Sequence, residues 1–118
     1  YFDNKEYKAQ ARQMLNNILP QIEATKSTDY YSNWLQLHGD LINPTYEVAI
    51  VGPDAVAKAK EFNTSYLSNA IILGGTDEGT LALLKDKLQD GETMIYVCQN
   101  KVCKFPVTEV SKALELMK

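Results

Sequence analysis

The sequence is short of several things on which function is commonly built. It has one histidine and two cysteines among 118 residues. Structural zinc takes four ligands, so one cysteine pair and a lone histidine cannot complete a site without another chain or domain. Two cysteines are also too few for the disulfide framework of a small secreted module. Positive charge is not in excess. Twelve basic residues against fifteen acidic give a net charge of −3, which argues against the clustered cations of a nucleic-acid footprint. No apolar run exceeds about five residues, against the roughly 20 of a membrane-spanning helix. No signal peptide is visible, and the chain opens on Tyr1 without a Met, so it reads as a piece of something longer, with the cytoplasm as the default compartment. Neither G-x-G-x-x-G nor G-x-x-x-x-G-K-[ST] occurs, and no period of 20–50 residues repeats. These absences leave no catalytic residue, cofactor or metal site to assign from the residues alone.

What is present is a normal apolar fraction, 45%, enough for a core without disulfide staples. The densest strand-forming stretch is Thr93–Pro106, which holds both cysteines. Asn100-Lys101 sits between apolar flanks as a two-residue turn, since Asn tolerates the positive φ that a tight hairpin demands. A turn there sets Gln99 opposite Val102 and Cys98 opposite Cys103. Facing Cβ atoms lie roughly 4.5–5.5 Å apart, whereas a disulfide wants about 3.5–4.5 Å, so a bridge there involves some strain. Three roles stay open for Cys98 and Cys103. They are a structural pair (reduced or statically bridged), a labile redox pair, or part of an interface or metal site shared with another chain. Redox centres typically use Cys-X-X-Cys at a helix N-terminus. Here the spacing is C-x4-C on a strand pair, with Lys101 and Lys104 the only nearby cations.

The remaining chain divides at Asn43-Pro44. Residues 3–19 predict an amphipathic helix capped by Asp3 or Asn4, with Tyr7, Ala11, Met14, Leu15, Ile18 and Ile22 on its stripe; Pro20 ends or kinks it. A second helix is expected over 29–42, capped by Thr28, with Tyr31, Trp34, Leu35, His38 and Leu41 inward. The two form a helical hairpin over 1–43. Beyond it, Glu47–Val51 and Asn69–Leu73 predict strands, each stopped by glycine. Helices are expected from Pro53-Asp54 to Phe62, from Thr76 or Thr80 to Leu88, and after Thr108 with Val110, Ala113, Leu114 and Met117 inward. The fold class is therefore α/β: the helical hairpin, then over 44–118 a small mixed, mostly parallel β-α-β-α-β-β-α sheet domain. Thioredoxin-like folds share that order of elements.

Other candidates have ordinary readings beside the functional ones. Gly52, Gly74, Gly75 and Thr76 follow two expected parallel strands, where open α/β sheets bind ligands; glycines that merely end strands explain them too, and Asp77 and Glu78 would repel phosphate. His38 beside Trp34 reads as packing, with no serine or cysteine at triad spacing. Trp34, Tyr30 and Tyr31 could stack a sugar or base, or fill a core. Lysines 58, 60, 85 and 87 read as solvated helix faces.

Two segments carry a family resemblance. Tyr46-Glu-Val-Ala-Ile-Val-Gly52, and Ile95-Tyr-Val-Cys-Gln-Asn-Lys-Val-Cys-Lys-Phe-Pro-Val107 with a final short helix, resemble the C-terminal end of the thioredoxin-domain-containing family of spermatogenesis-associated protein 20 and bacterial YyaL. That resemblance implies a three-part parent: an N-terminal thioredoxin-like domain, an (α/α)6 barrel similar to six-hairpin glycosidases and sugar epimerases, and a C-terminal portion ending in this hairpin. Residues 1–43 would be late barrel helices and 44–118 the closing α/β portion. The partners it implies are the barrel and the thioredoxin-like domain, with no nucleic acid or membrane. Cys98 and Cys103 carry over as a family feature without an assigned role.

Overall fold

The computed structural model describes residues 4–43 and 45–118; the alternative helix cap Asp3 and the boundary residue Pro44 lie outside them. The chain forms two compact units that divide after Asn43. The described residues form a mixed α/β structure with four α-helices and one four-stranded sheet.

In the first unit, α1 spans Lys5–Ala24. Asn4 caps it, its Oδ1 accepting from the N–H groups of Glu6 (2.9 Å) and Tyr7 (3.3 Å). The helix does not end near Leu19 but runs through Pro20. Proline's fixed φ is helical, so continuation costs one backbone hydrogen bond and a local bend rather than the helix itself. The chain leaves the helix at Thr25, which is extended. Of the expected stripe, Leu15 and Ile22 are buried, while Tyr7 and Met14 are exposed. The second helix also starts later than its pattern suggests. Thr28–Tyr31 is a 3-10 turn, and α2 occupies Ser32–Ile42. No α2 side chain is fully buried.

In the second unit, β1 (Tyr46–Val51), α3 (Ala55–Phe62), β2 (Ala70–Gly75), β3 (Met94–Gln99), β4 (Val102–Cys103) and α4 (Val110–Glu115) follow in order. The sheet order is β2-β1-β3-β4. β1 and β2 are parallel, joined through α3 as a β-α-β unit requires. Both other pairings, β1 with β3 and β3 with β4, are antiparallel, so the sheet is mixed without being mostly parallel.

The reason lies in residues 76–93, where the expected helix is replaced by turns. That segment leaves the chain at the end of the sheet where β2 finished, so β3 starts there. Met94 accordingly pairs with Val51. The leucine spacing that suggested a helix is only locally satisfied: Leu84 is buried, but Leu81 and Leu88 are about half exposed. What organises the segment instead is the Glu78 carboxylate. It accepts from the backbone N–H groups of Asp86, Lys87 and Leu88 at 2.6–2.9 Å, and Asp86 sits at φ 58°. That loop closure is incompatible with a continuous helix across the same residues.

The sheet separates two cores. On one face Val48, Ile50, Ile95 and Val97 pack with Phe62 of α3 and with Val110 and Ala113 of α4. Leu114 of α4 and Met117 just beyond it close its margin, as their spacing predicted. On the other face Ala49, Val51, Leu73 and Tyr96 are covered by Leu83 and Leu84 of the turn segment. β1 is therefore buried on both sides from Val48 to Val51, in keeping with its unbroken apolar run.

Candidate functional site: the cysteine hairpin

The hairpin closes where its turn residues indicate. Asn100 (φ 51°) and Lys101 (φ 67°) are both left-handed, the signature of a type I′ turn, whose twist matches that of the flanking strands. Gln99 pairs with Val102 and Cys98 with Cys103. Lys104 N–H donates to the Val97 carbonyl at 2.9 Å. In an antiparallel ladder hydrogen-bonded pairs alternate with non-bonded ones, so the cysteines occupy a non-hydrogen-bonded position, where the strands approach most closely. Cys98 and Cys103 are joined as a disulfide, with their Cα atoms 3.8 Å apart.

The bridge is lopsided. Cys98 is 1% exposed, whereas Cys103 lies on the two-residue edge strand and is exposed. A thiolate from solvent can therefore reach the Cys103 side, and Cys98 would be the group expelled into the interior. In the sheet register Glu47 stands opposite Cys98 and hence on its face. A carboxylate there disfavours a second negative charge. Among the described residues of this unit, no helix N-terminus or histidine of the kind found at reactive cysteines is paired with either cysteine.

A shallow cleft of about 350 Å³ opens between the hairpin and Tyr46, with Cys98 and Cys103 among its lining residues. Gln99, Val102 and Lys104 border it. The Lys104 ammonium is tied to the Leu116 carbonyl at the end of α4, which fastens the hairpin to the last helix.

At two of the strand-end positions, Gly52 and Gly74, packing itself requires glycine. Gly52 has φ 134°, and a Cβ there would lie 2.6 Å from the Glu92 carbonyl oxygen. A Cβ on Gly74 would lie 2.5 Å from the Ile50 carbonyl oxygen. Gly52 N–H donates to the Gly75 carbonyl, and Thr76 is exposed beyond it. The residue that organises this end is one the sequence reading passed over, Thr93. It is 4% exposed, and its Oγ1 accepts from Asp54 N–H at 2.8 Å. The first donor of α3 is thus already occupied from within the chain. Only its place just before a predicted strand could have flagged it.

Lys58 and Lys87 are less free than their solvated reading. Lys58 Nζ donates to the Thr108 carbonyl at 2.7 Å, and Lys87 Nζ lies 5.6 Å from the Tyr96 ring centre. Lys60 and Lys85 are exposed, and His38 and Trp34 are half-buried on α2. The Glu78 carboxyl is held below its ordinary pKa, chiefly by the Leu88 N–H, then by those of Asp86 and Lys87. Among the described residues no group of three or more His, Cys, Asp or Glu is placed to hold a metal. No helix among them is long and apolar enough to cross a membrane.

Comparison with known proteins finds no match to a family model, to a curated protein or to a solved structure.

Proposed function

We propose that this chain is a non-catalytic structural and interaction module of a larger protein, built as the resemblance implies: a thioredoxin-like domain, an (α/α)6 barrel and this closing portion. On this reading α1 and α2 form a helical hairpin laid against the barrel, and the sheet unit is a thioredoxin-like arrangement that lacks its middle helix. The observation that carries it is the state of the first unit. α2 holds Trp34, Leu35, Leu37, Leu41 and Ile42 yet buries none of them fully, while Tyr7, Met14 and Tyr30 are also exposed. A helix pair with that much apolar surface in water is short of a covering partner. The test is binding of a hydrophobic dye to the isolated chain, followed by addition of the barrel portion of its parent. Dye binding that falls as a complex sediments supports the proposal; a strictly monomeric chain that leaves the dye dark removes its support.

The bridge favours one second reading, a thiol-disulfide redox module using Cys98 and Cys103. A donor dithiol would reduce it, passing two electrons and two protons to the cysteine pair and becoming a disulfide itself. The exposed Cys103 supplies the point of attack. Equilibration in glutathione buffers with trapping of free thiols decides the matter. A midpoint of roughly −200 to −270 mV places the pair among exchange proteins, and resistance below about −300 mV makes the bridge structural.

A further inference from the structure

The two edges of the sheet are built differently. The β4 edge carries several of the devices that keep strands from pairing with strangers: it is two residues long, Lys101 and Lys104 flank it, and Pro106 follows. The β2 edge has none of them. Ala70-Ile-Ile-Leu-Gly-Gly75 is six residues long, contains no proline, and sits in an uncharged stretch from Asn63 to Thr76. Among the described strands it pairs only with β1.

The backbone directions along β2 follow from its bonds to β1. Tyr46 N–H donates to the Asn69 carbonyl and Gly52 N–H to the Gly75 carbonyl. Odd positions therefore point inward, and alternation along a strand turns the N–H and C=O groups of Ala70, Ile72 and Gly74 outward.

We infer that β2 is a homodimerisation edge, taking β2 of a second copy of this chain antiparallel about a two-fold axis at Ile72. With the axis there, Ile72 meets Ile72 of the second copy, and Ala70 meets Gly74 in both directions. All three outward positions then become hydrogen-bonded pairs, with no backbone group left over. Ile71 meets Leu73 at the intervening non-bonded positions, where side chains lie closest, giving an apolar cross-strand pair on each side of the axis. No charge opposes its like, because the nearest acidic residues, Asp77 and Glu78, fall opposite Leu67 and Tyr66. An uncharged edge gives a charged peptide nothing to select, whereas this chain carries a strand that matches it residue for residue. Joining the edges makes one continuous eight-stranded sheet from two four-stranded ones. The contact is a single strand pair, smaller than the roughly 1,000 Å² of a stable interface, so the dimer is weak and concentration-dependent. The inference uses β2 alone and is independent of the role proposed for the helical unit.

The test is residue-resolved amide exchange on the whole chain at about 10 µM and about 1 mM, beside sedimentation at the same concentrations. The expected pattern alternates. Ile71 and Leu73 amides are protected at both concentrations, while those of Ala70, Ile72 and Gly74 become about tenfold or more slower only at the higher one, as the sedimenting species grows. The substitution I71K changes a side chain outside both core clusters. It is expected to leave the thermal transition in place and weaken association by about tenfold or more. Three results overturn the inference: a monomer at both concentrations, a dimer whose outward amides exchange freely, or outward amides protected equally at both concentrations.

Discussion

Removing the disulfide should weaken the sheet unit by an amount that its position determines. The bridge joins residues five positions apart, so it closes a loop of about six residues. By the chain-entropy account, a loop that short contributes about 2 kcal/mol through restriction of the unfolded chain. The pair C98A/C103A removes the bridge without placing a hydroxyl in the buried Cys98 position. The type I′ turn remains, so the hairpin should persist and the loss should appear as stability rather than as altered fold. With a urea m-value of about 1 kcal/mol/M for a unit of this size, the midpoint falls by about 2 M. The amide resonances of β1 and β3 follow that transition. Fluorescence of the single tryptophan, Trp34, follows the helical unit instead, which gives an internal reference in the same titration. Intact protein in excess dithiol should reproduce the shift of the variant. A midpoint within about 0.3 M of the bridged protein would refute the reasoning, since the bridge would then constrain nothing the turn does not already constrain.

Three other perturbations probe separate parts of the same unit. Phe62→Ala empties the largest fully buried side chain of the main core and should cost about 3–5 kcal/mol by denaturant titration; a loss below about 1 kcal/mol would mean that Phe62 is not the centre of that core. Thr93→Val leaves Asp54 N–H without its acceptor and should cost about 1–3 kcal/mol, with amide exchange at Asp54 accelerated and that at Ile95 unchanged. Glu78 has its pKa lowered by folding, so its contribution is fully present above the ordinary carboxylate pKa and is lost as the pH falls through the lowered value. Amide exchange at Asp86, Lys87 and Leu88, corrected for intrinsic rates, should therefore show protection that fades only in acid, and E78Q should weaken it already at neutral pH. Protection that is flat with pH and unaltered by E78Q would show that the loop closes without the carboxylate.

Elements whose pattern served one purpose were legible. β1 is an apolar run because both of its faces are covered. α1 reads through its capping Asn4, and the hairpin is visible in Asn100-Lys101 because few residues accept a positive φ. The 76–88 segment was not legible because its leucines fit two outcomes. A three- and four-residue spacing suits a helix, but burying Leu83 and Leu84 takes only one turn of chain over the sheet. Glu78 then gains three backbone donors from residues eight to ten positions later, a contact that no local periodicity announces. The closed loop delivers the chain at Met94, beside Val51.

The site was legible to the same depth. The spacing of Cys98 and Cys103 predicted their facing positions, because a two-residue turn leaves one register. Their unequal exposure was not predictable from spacing, since it arises from sheet order: β3 is interior and β4 is the edge. That inequality sets the chemistry. Attack from solvent falls on Cys103, and the departing charge must then develop on Cys98, at 1% exposure and opposite Glu47. Burial and a facing carboxylate both raise the cost of a thiolate there. Exchange should therefore be slow even where its equilibrium is favourable, and E47Q should accelerate reduction by dithiol without shifting the urea midpoint. If E47Q reduces no faster than the parent chain, the electrostatic part of this argument fails, and burial alone protects the bridge.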